Sequence, residues 1–319
     1  LVVFAVDDYG NVRLDSRQAR EQMDRAGLKV YTRFDAYDTL ETKADLEALY
    51  ETLSSVKDST GRPAVFTPYA LPCNIDFETL KEHDYQSFAY ESLSTTFEKL
   101  SALHPTSYKG AWSLWQEGIE KGLLQPQFHG REHLNLKVFE EKLQRRDHDI
   151  MTALQNRSYT SIRQDDYSTI GWTAAFSFAQ TNELKRFPAI LKSGLEAFES
   201  VFGYRATTFT PPAQQFHPSL EPVLWKNGLK AIDKPFTAKQ HLGNGHFRRQ
   251  WNIAGYQPKT ETVTLVRNVV FEPTDDRGVD WVEYTLKQIE TAFRWNRPAI
   301  ISSHRVNFCD HIDPKNRKV

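Results

Sequence analysis

The sequence predicts an α/β protein, a distorted seven-stranded parallel (β/α) barrel with helical insertions. Two observations lead to this fold class: short apolar runs recur along the whole chain, and amphipathic helical segments separate them. A third observation concerns shape. No glycine-rich dinucleotide fingerprint follows the first run, which favours a closed or nearly closed barrel, with a doubly wound open sheet as the alternative.

Seven runs have the length and composition of buried parallel strands. Each is short, apolar or β-branched, and bounded by glycine, proline or charged residues. They cover residues 1–6, 63–67, 123–128, 206–210, 229–233, 262–266 and 298–303. Parallel barrels carry their chemistry at the carboxyl ends of the strands, so the residues that follow these runs are the candidates for a site.

Helical segments between the runs carry start and stop signals. Ser16 and Thr42 are suitable N-cap residues, and Gly27 and Gly203 stand where helical segments end. Pro188 either kinks its helix or marks the true start. The main predicted helices cover residues 16–27, 42–58, 182–203 and 279–295.

We expect residues 1–319 to form a single domain, because the alternation of strand and helix continues without a repeat or a flexible linker. The connections 69–122 and 134–205 are too long for plain loops. They are predicted to be largely helical insertions over or beside the carboxyl ends of the strands. Residues 171–180 (GWTAAFSFAQ) are rich in aromatic side chains, which either line a substrate pocket or pack against the barrel.

The composition argues against several classes of partner. With 39% hydrophobic residues, 25% charged residues and a net charge of −1, the chain has no basic excess for nucleic acid or an anionic membrane. No apolar run is long enough for a transmembrane segment, and the first residues lack the features of a signal peptide. The compartment stays open, with a weak preference for the cytoplasm over an exported form whose leader has been removed. Cys73 and Cys309 allow one disulfide at most.

Polar residues with metal-binding and proton-transfer chemistry follow four of the seven runs. They are Asp7 and Asp8 after the first, His129 and His133 after the third, TPPA (210–213) after the fourth and His304 after the seventh. Taken singly, each has an ordinary structural explanation, such as a helix cap or a turn. Their coincidence at four strand ends favours a divalent-metal site, since catalytic zinc commonly has three N/O ligands and an open position.

The stretch FHGREHLN (128–135) has two interpretations. As H-x-x-E-H it would be an inverted zinc-protease motif with Glu132 as the base, which requires a helix. The residues before it, including Gly122 and Pro126, are poor in helix propensity. Gly130 also suits a strand-to-helix turn. We therefore expect a two-histidine clamp at a strand end, with a helix that begins near residues 133–135.

These motifs, in this order, resemble the polysaccharide deacetylase family, the NodB-homology domain of carbohydrate esterase family 4, as a divergent branch. The Asp-Asp motif matches AVDDYG, H-[ST]-x-x-H matches HGREH with Gly130 at the Ser/Thr position, and the last motif matches IISSH. The third motif, R-x-P-[YF], resembles TPPA, where Thr210 replaces the arginine and Ala213 the aromatic residue. An Asp-Trp motif matches Asp280 and Trp281, which would support the site.

The resemblance implies a metal-dependent deacetylase acting on N- or O-acetyl groups of a carbohydrate. Its divalent metal is usually zinc, and cobalt, nickel or manganese suit the same ligands. The roles carried over are a catalytic base at Asp7, metal ligands at Asp8, His129 and His133, an oxyanion-binding N–H at Ala213 after Pro212, and His304 as the acid that protonates the leaving amine. The substrate itself and the oligomeric state stay open.

Two groups required by such a site cannot be named from the sequence. The family arginine that holds the base is missing, and Arg33, Arg131, Arg205 and Arg305 are the candidates to replace it. His304 needs a carboxylate partner. The competing functions are a glycoside hydrolase with a second carboxylate in 273–281, a catalytically silent carbohydrate-binding protein and, more distantly, a protease.

Overall fold

The structure is a computed structural model that describes residues 1–164, 170–257 and 262–316. It is an α/β fold around a mostly parallel sheet. The strands are β1 (Val2–Tyr9), β2 (Phe66–Ala70), β3 (Cys73–Ile75), β4 (Tyr90–Ser92), β5 (Gln127–Phe128), β6 (Thr208–Phe209), β7 (Ala231–Asp233), β8 (Thr237–Gly243), β9 (His246–Trp251), β10 (Gly255–Gln257), β11 (Thr262–Leu265), β12 (Val269–Val270) and β13 (Ala299–His304).

The α-helices lie mainly in the connections between strands of the central sheet. They are α1 (Arg17–Arg25), α2 (Arg33–Tyr37), α3 (Lys43–Ser55), α4 (Phe77–Glu82), α5 (Leu93–Leu103), α6 (Pro105–Tyr108), α7 (Ala111–Glu120), α8 (Leu136–Arg145), α9 (His148–Gln155), α10 (Phe187–Phe202), α11 (Glu221–Lys226) and α12 (Trp281–Arg294). Within the described residues, each helix is too short or too polar to cross a lipid bilayer.

The central sheet has nine strands in the described part of the chain, in the order β10-β11-β7-β6-β5-β2-β1-β13-β12. All neighbours pair in parallel except β10 and β11. Each of the seven predicted runs overlaps one of these strands. The described sheet contains two further strands, β10 and β12, which are too short to stand out as apolar runs, so the predicted count of seven is not confirmed.

The predicted helix boundaries agree with the capping chemistry. Ser16 caps α1, and Thr42 forms a capping box with Asp45 at the start of α3. Pro188 is the second residue of α10, where its missing N–H costs nothing, so it marks the start of that helix. Asn135 caps α8, which confirms that the helix begins after the histidine motif.

The two long connections contain most of the remaining helices. The segment 69–122 holds α4 to α7 and the antiparallel β3–β4 hairpin, and 134–205 holds α8 to α10. Residues 165–169 of the second segment lie outside the described residues. The boundaries of the domain stay a prediction. Buried side chains from β1, β2, β5 and these helices share one large apolar core, which fixes the strands that carry the candidate site.

The two cysteines do not form a bridge. Cys73 and Cys309 are both free and buried. The disulfide that the sequence allowed is therefore absent.

Candidate metal centre and active site

The end of β1 departs from regular strand geometry at the two aspartates. Successive side chains of a strand point to opposite faces, so Asp7 and Asp8 would normally diverge. Asp8 has a left-handed backbone, with φ +74°, and the pairing with β2 shifts register between Val6 and Tyr9. Such an irregularity re-aims a side chain. Both carboxylates are buried, and each contacts groups from other strand ends.

Asp8, His129 and His133 form a compact, buried group of potential metal ligands. Asp8 Oδ1 lies 3.0 Å from His133 Nε2 and 3.5 Å from His129 Nε2. Two zinc ligands at about 2.1 Å in tetrahedral geometry stand about 3.4 Å apart. The donor set and its spacing therefore fit a divalent ion, and the residues predicted as metal ligands come together.

The ring of His129 is held with one nitrogen available. Its Nδ1–H donates to the Thr210 carbonyl oxygen, 2.7 Å away, and its buried Nε2 has no hydrogen-bond partner among the described residues. An imidazole that donates from one nitrogen to a backbone carbonyl presents the lone pair of the other to a metal. This is the arrangement expected of a ligand histidine.

A second group of acidic residues is already occupied by a lysine side chain. Asp76, Glu78 and Glu91 lie close enough to one another to share an ion. Lys99 Nζ stands among them, 2.9 Å from Asp76 and 2.7 Å from Glu78, and also contacts Glu91. The Lys99 ammonium group therefore occupies the position that a metal ion would take.

Gly130 links the histidine motif to the turn after β6. Its φ is +111°, and an added Cβ would meet the Glu132 carbonyl oxygen and Pro212 Cγ, both at 3.2 Å. Glycine is therefore required at the position where the resembling family has Ser or Thr. Glu132 binds Arg131 with both carboxylate oxygens. Together with the late start of α8, this engagement argues against the protease interpretation.

A buried chain of charges extends from Asp8 into the core. Arg13 Nη2 lies 3.2 Å from Asp8 Oδ1, and Arg13 Nε lies 3.3 Å from Asp38. Asp38 also accepts from Arg305, which in turn contacts Glu41. Burial raises the pKa of Asp8, but the charges of Arg13 and then His133 outweigh it and hold that pKa well below its ordinary value. Asp8 is therefore ionised, as a ligand must be.

Asp7 is gripped by an arginine that the sequence did not point to. Arg267 Nη2 donates to Asp7 Oδ1 at 2.7 Å, and Nη1 donates to Oδ2 at 2.9 Å. Arg267 also donates to Thr210 Oγ1 at 2.9 Å and lies 2.9 Å from Asp233. Burial raises the pKa of Asp7, but Arg267 outweighs this effect, so the pKa lies below its ordinary value.

The four arginines considered from the sequence are all engaged elsewhere. Arg33 pairs with Glu272, Arg131 with Glu132, Arg205 with Glu199 and Arg305 with Asp38 and Glu41. Among the described residues, none of these four candidates contacts Asp7, and Arg267 does. Arg267 lies two residues after β11 and next to the predicted run 262–266, but its contact with Asp7 could be recognised only from the fold.

Glu272 is the carboxylate partner that His304 requires. His304 Nδ1 donates to Glu272 Oε1 at 2.6 Å, and the other oxygen of Glu272 accepts from Arg33 and Asn307. Burial lowers the pKa of His304, but Glu272 outweighs it and raises that pKa to about 9. The imidazole is thus charged at neutral pH, and its side chain is 32% exposed.

Asp280 and Trp281 have structural roles instead of the predicted support of the site. The Asp280 side chain accepts from the Glu283 N–H and caps α12. Trp281 Nε1 donates to the Asp275 carbonyl oxygen. The carboxylate partner of His304, which could not be named from the sequence, is Glu272, which follows the two-residue strand β12.

The turn after β6 presents a backbone donor. Pro212–Gln214 form one 3-10 turn, in which Ala213 has φ +53° and is exposed. Within the described residues, the Ala213 N–H donates no hydrogen bond. Thr210, just before this turn, is buried and joins His129 to Arg267 through its carbonyl and hydroxyl oxygens. Thr210 therefore lies beside one of the potential metal ligands and beside the arginine that pairs with Asp7, and Pro212 lies against Gly130.

Comparisons with known proteins give similarity of shape only. A scan against protein-family models finds no match, and a search of curated proteins finds none. Solved structures that resemble the chain include a 4-alpha-glucanotransferase from Thermococcus litoralis, with 10% identity and a TM-score of 0.41 over 99% of this chain and 36% of that one. A GH57 branching enzyme from Thermococcus kodakaraensis has 9% identity and a TM-score of 0.44 over 99% of this chain and 66% of that one.

A polysaccharide deacetylase from Bacillus cereus is also similar, with 13% identity and a TM-score of 0.34 over 83% of this chain and 62% of that one. The chain thus spans from about a third to two thirds of the length of these three proteins. Matches this distant carry no argument about activity. The chemistry has to be argued from the residues themselves.

Proposed function

We propose that this protein is a metal-dependent hydrolase that removes N- or O-linked acetyl groups from a carbohydrate. The observation that carries the proposal is geometric: Asp7, paired with Arg267, and His304, paired with Glu272, stand beside one group of potential metal ligands. Asp7 and His304 are register partners on β1 and β13. Arg267 keeps Asp7 ionised, and Glu272 keeps His304 protonated. A carbonyl hydrolase requires such a base and such an acid.

Asp8, His129 and His133 would hold the divalent ion, and zinc fits their donor set best. A bound ion supplies positive charge that polarises a carbonyl oxygen and makes water more acidic. The buried position of the three side chains excludes competing solvent, which strengthens electrostatic interactions within the site.

The protein's own residues would move the protons. Asp7 accepts a proton from the attacking water, because a carboxylate has about four lone-pair positions and Arg267 occupies two. The Ala213 N–H donates to the oxygen on which negative charge develops. His304 donates its Nε2 proton to the leaving amine or alkoxide, while Nδ1 stays bound to Glu272.

Arg267 supports the proposal despite the altered third motif. In the resembling family the motif arginine positions the catalytic aspartate, and Thr210 stands at that place here. The Arg267 guanidinium reaches the same aspartate from the end of β11 and hydrogen-bonds the Thr210 hydroxyl. Asp7 is therefore paired with an arginine, although this arginine follows β11 and not β6.

The glycoside hydrolase alternative is less well supported. It needs a second carboxylate across the scissile bond, expected in 273–281. Asp275 in that segment pairs with Arg277, and Asp280 caps α12. Neither contacts His304 or the ligand group among the described residues, and Asp276, the third carboxylate of the segment, is exposed.

The test is an assay of zinc-loaded protein on N-acetylated oligosaccharides, with free acetate and new reducing ends measured in parallel. We expect acetate without reducing ends. Asp7→Asn should retain zinc, measured by mass spectrometry, and lose about 10²–10⁴-fold in rate. Asp8→Asn should lose zinc and activity together. Asp275→Asn is the control and should match the wild type.

Two outcomes would overturn the proposal. Reducing ends without acetate, abolished by Asp275→Asn, would establish a glycosidase. Wild-type rates of acetate release in both Asp7→Asn and Asp8→Asn would show that neither carboxylate carries the chemistry.

A further inference from the structure

The helix α12 has two apolar faces, although a helix on the surface of a globular protein usually has one. The first face packs against β12 and β13, where Trp281, Thr285 and Ala292 are buried. Four apolar residues form the second face, the α12 seam: Val282, Leu286, Ile289 and Phe293. The sheet accounts for the first face and leaves the α12 seam to be explained.

The α12 seam is largely open to solvent. Val282 is 47% exposed, Leu286 54% and Phe293 44%, and Ile289 is partly buried at the edge of the core. The four side chains are spaced four, three and four residues apart, which places them along one side of the helix. The same spacing lines the contact between two paired helices. A row of exposed apolar side chains of this kind is typical of an interaction surface.

A row of charged residues runs beside the α12 seam, each one residue further along the chain: Glu283, Lys287, Glu290 and Arg294. All four side chains are exposed. Within the chain, Lys287 lies 2.7 Å from Glu283, and Arg294 lies 3.6 Å from Glu290. Exposed ion pairs hold their side chains only weakly. The same four groups can therefore turn toward a partner.

The order of these charges is complementary to itself in reverse. From the first residue to the last, the signs are negative, positive, negative and positive. In a second copy of the helix that runs in the opposite direction, Glu283 of one chain would face Arg294 of the other, and Lys287 would face Glu290. Charges that flank an apolar contact line determine the choice and orientation of the partner helix. The pattern therefore favours an identical helix in antiparallel orientation.

The α12 seam is consistent with the same reversal. Its spacings of four, three and four residues are the same in both directions. Val282 of one chain would therefore lie opposite Phe293 of the other, and Leu286 opposite Ile289. A contact in which each residue meets its counterpart in both directions has two-fold symmetry, as most dimers of identical chains do.

We infer that the α12 seam is the docking surface for a second copy of this chain, in a dimer whose two α12 helices pack antiparallel about a two-fold axis. This inference does not depend on the proposed function. The buried face of α12 also holds the edge of the sheet, because Gln288 Oε1 accepts from the Val270 N–H and Thr285 Oγ1 donates to the Val270 carbonyl oxygen. Dimer formation should therefore stabilise β12 as well.

The experiment is sedimentation equilibrium of the full chain over a wide range of protein concentrations. The wild type should associate to a dimer. Leu286→Glu should raise the Kd of the dimer by about 100-fold or more, because each copy would bury a carboxylate at the centre of the contact. Tyr284→Glu is the matched control and should leave the Kd unchanged, since Tyr284 is also exposed but lies on the other side of the helix. Circular dichroism should show that both variants are folded.

The antiparallel arrangement is tested by reversing charges. Glu283→Lys and Arg294→Glu should each weaken the dimer by about 10-fold or more, because like charges would face each other twice. An equimolar mixture of the two variants should form a mixed dimer with nearly the wild-type Kd, since opposite charges then meet at both contacts. A local effect of either substitution on its own helix would not be relieved by mixing.

A wild type that stays monomeric would overturn the inference, as would a dimer that Leu286→Glu and Tyr284→Glu weaken equally. Two weakened variants whose mixture does not associate would overturn the antiparallel arrangement. Acetate release is not measured in this experiment, so the proposed function stands or fails separately.

Discussion

Arg267 and Asp7 form a buried ion pair with two parallel hydrogen bonds, Nη2 to Oδ1 at 2.7 Å and Nη1 to Oδ2 at 2.9 Å. The pair joins β1 to the segment after β11. The strands β1 and β11 are not neighbours in the sheet. Bidentate pairing fixes the plane of a carboxylate as well as its charge. Orientation of the proposed base therefore depends on Arg267.

Arg267→Lys should lower kcat by about 10–100-fold, because one charge-assisted hydrogen bond worth about 1.5–3 kcal/mol is lost while the positive charge remains. Zinc content should not change. Arg205→Lys is the control, because Arg205 pairs with Glu199 at the surface. Steady-state kinetics with metal analysis is the measurement. A wild-type kcat in Arg267→Lys would show that the pair does not orient the base.

Removal of the Arg267 charge should lower the free energy of unfolding. Arg267→Gln leaves Asp7 and Asp233 as buried carboxylates without their cation. Loss of one partner from a buried pair costs about 3–5 kcal/mol. Urea denaturation should show a loss in the free energy of unfolding of this order. A change below 1 kcal/mol would mean that the pair behaves like a surface ion pair.

The pH dependence of the rate should follow His304. Glu272 raises the pKa of His304, and activity should fall as pH rises through the pKa of this imidazolium. Glu272→Gln removes the carboxylate that outweighs burial, and the alkaline limb should move to lower pH. Glu283→Gln, on the exposed face of α12, is the control. An alkaline limb that stays in place in Glu272→Gln would contradict the assignment of His304 as the acid.

The ion pair between His304 and Glu272 should stabilise the folded protein at low and neutral pH. The pKa of His304 is higher in the folded protein than its ordinary value of 6.5. Its contribution to the free energy of unfolding is therefore complete below about pH 6.5 and is lost as pH rises to about 9. The wild type minus Glu272→Gln difference in unfolding free energy should shrink across this interval. A constant difference would contradict the raised pKa.

Gly130→Ala should lower the free energy of unfolding by more than the strain of a positive φ accounts for. Gly130 and Gly27 both have left-handed backbones, but an added Cβ is crowded at Gly130 and has nothing within 4 Å at Gly27. Gly27→Ala should cost about 1–2 kcal/mol for the backbone, and Gly130→Ala should cost more and also weaken zinc binding by displacing His129. Urea denaturation and zinc titration measure both effects. Equal costs would show that Pro212 and Glu132 do not confine this position.

The sequence pattern predicted which residues lie at the strand ends, but it was less informative about the side chains that contact those residues. Asp8, His129 and His133 follow readable apolar runs, and the structure places their ligand atoms within 4.8 Å of one another. Helix starts at Ser16 and Thr42 were predictable because side-chain capping is a local interaction.

Arg267 and Glu272 were missed because their roles depend on tertiary contacts. Both lie around β12, which has two residues and gives no apolar run of its own. In the sequence, a charged residue beside so short a strand cannot be distinguished from a charged residue in an exposed turn. Asp233 ends β7 and carried a readable strand-end signal, but burial beside Arg267 could be recognised only from the fold.

Zinc should stabilise the protein through one site. A ligand at 100 times its Kd adds about 2.7 kcal/mol to the free energy of unfolding. His129→Ala should abolish this gain, because it removes a ligand atom. Glu78→Gln should preserve it, because Lys99 already neutralises that acidic group. Thermal unfolding with and without chelator is the measurement, and a zinc effect lost in Glu78→Gln but kept in His129→Ala would place the metal elsewhere.

The most direct test of the account is a crystal structure grown with zinc, with anomalous scattering recorded at the zinc edge. The account predicts one strong peak about 2.0–2.2 Å from Asp8 Oδ1, His129 Nε2 and His133 Nε2. Saturating zinc with no peak at these three side chains, or a peak held by other residues, would contradict it.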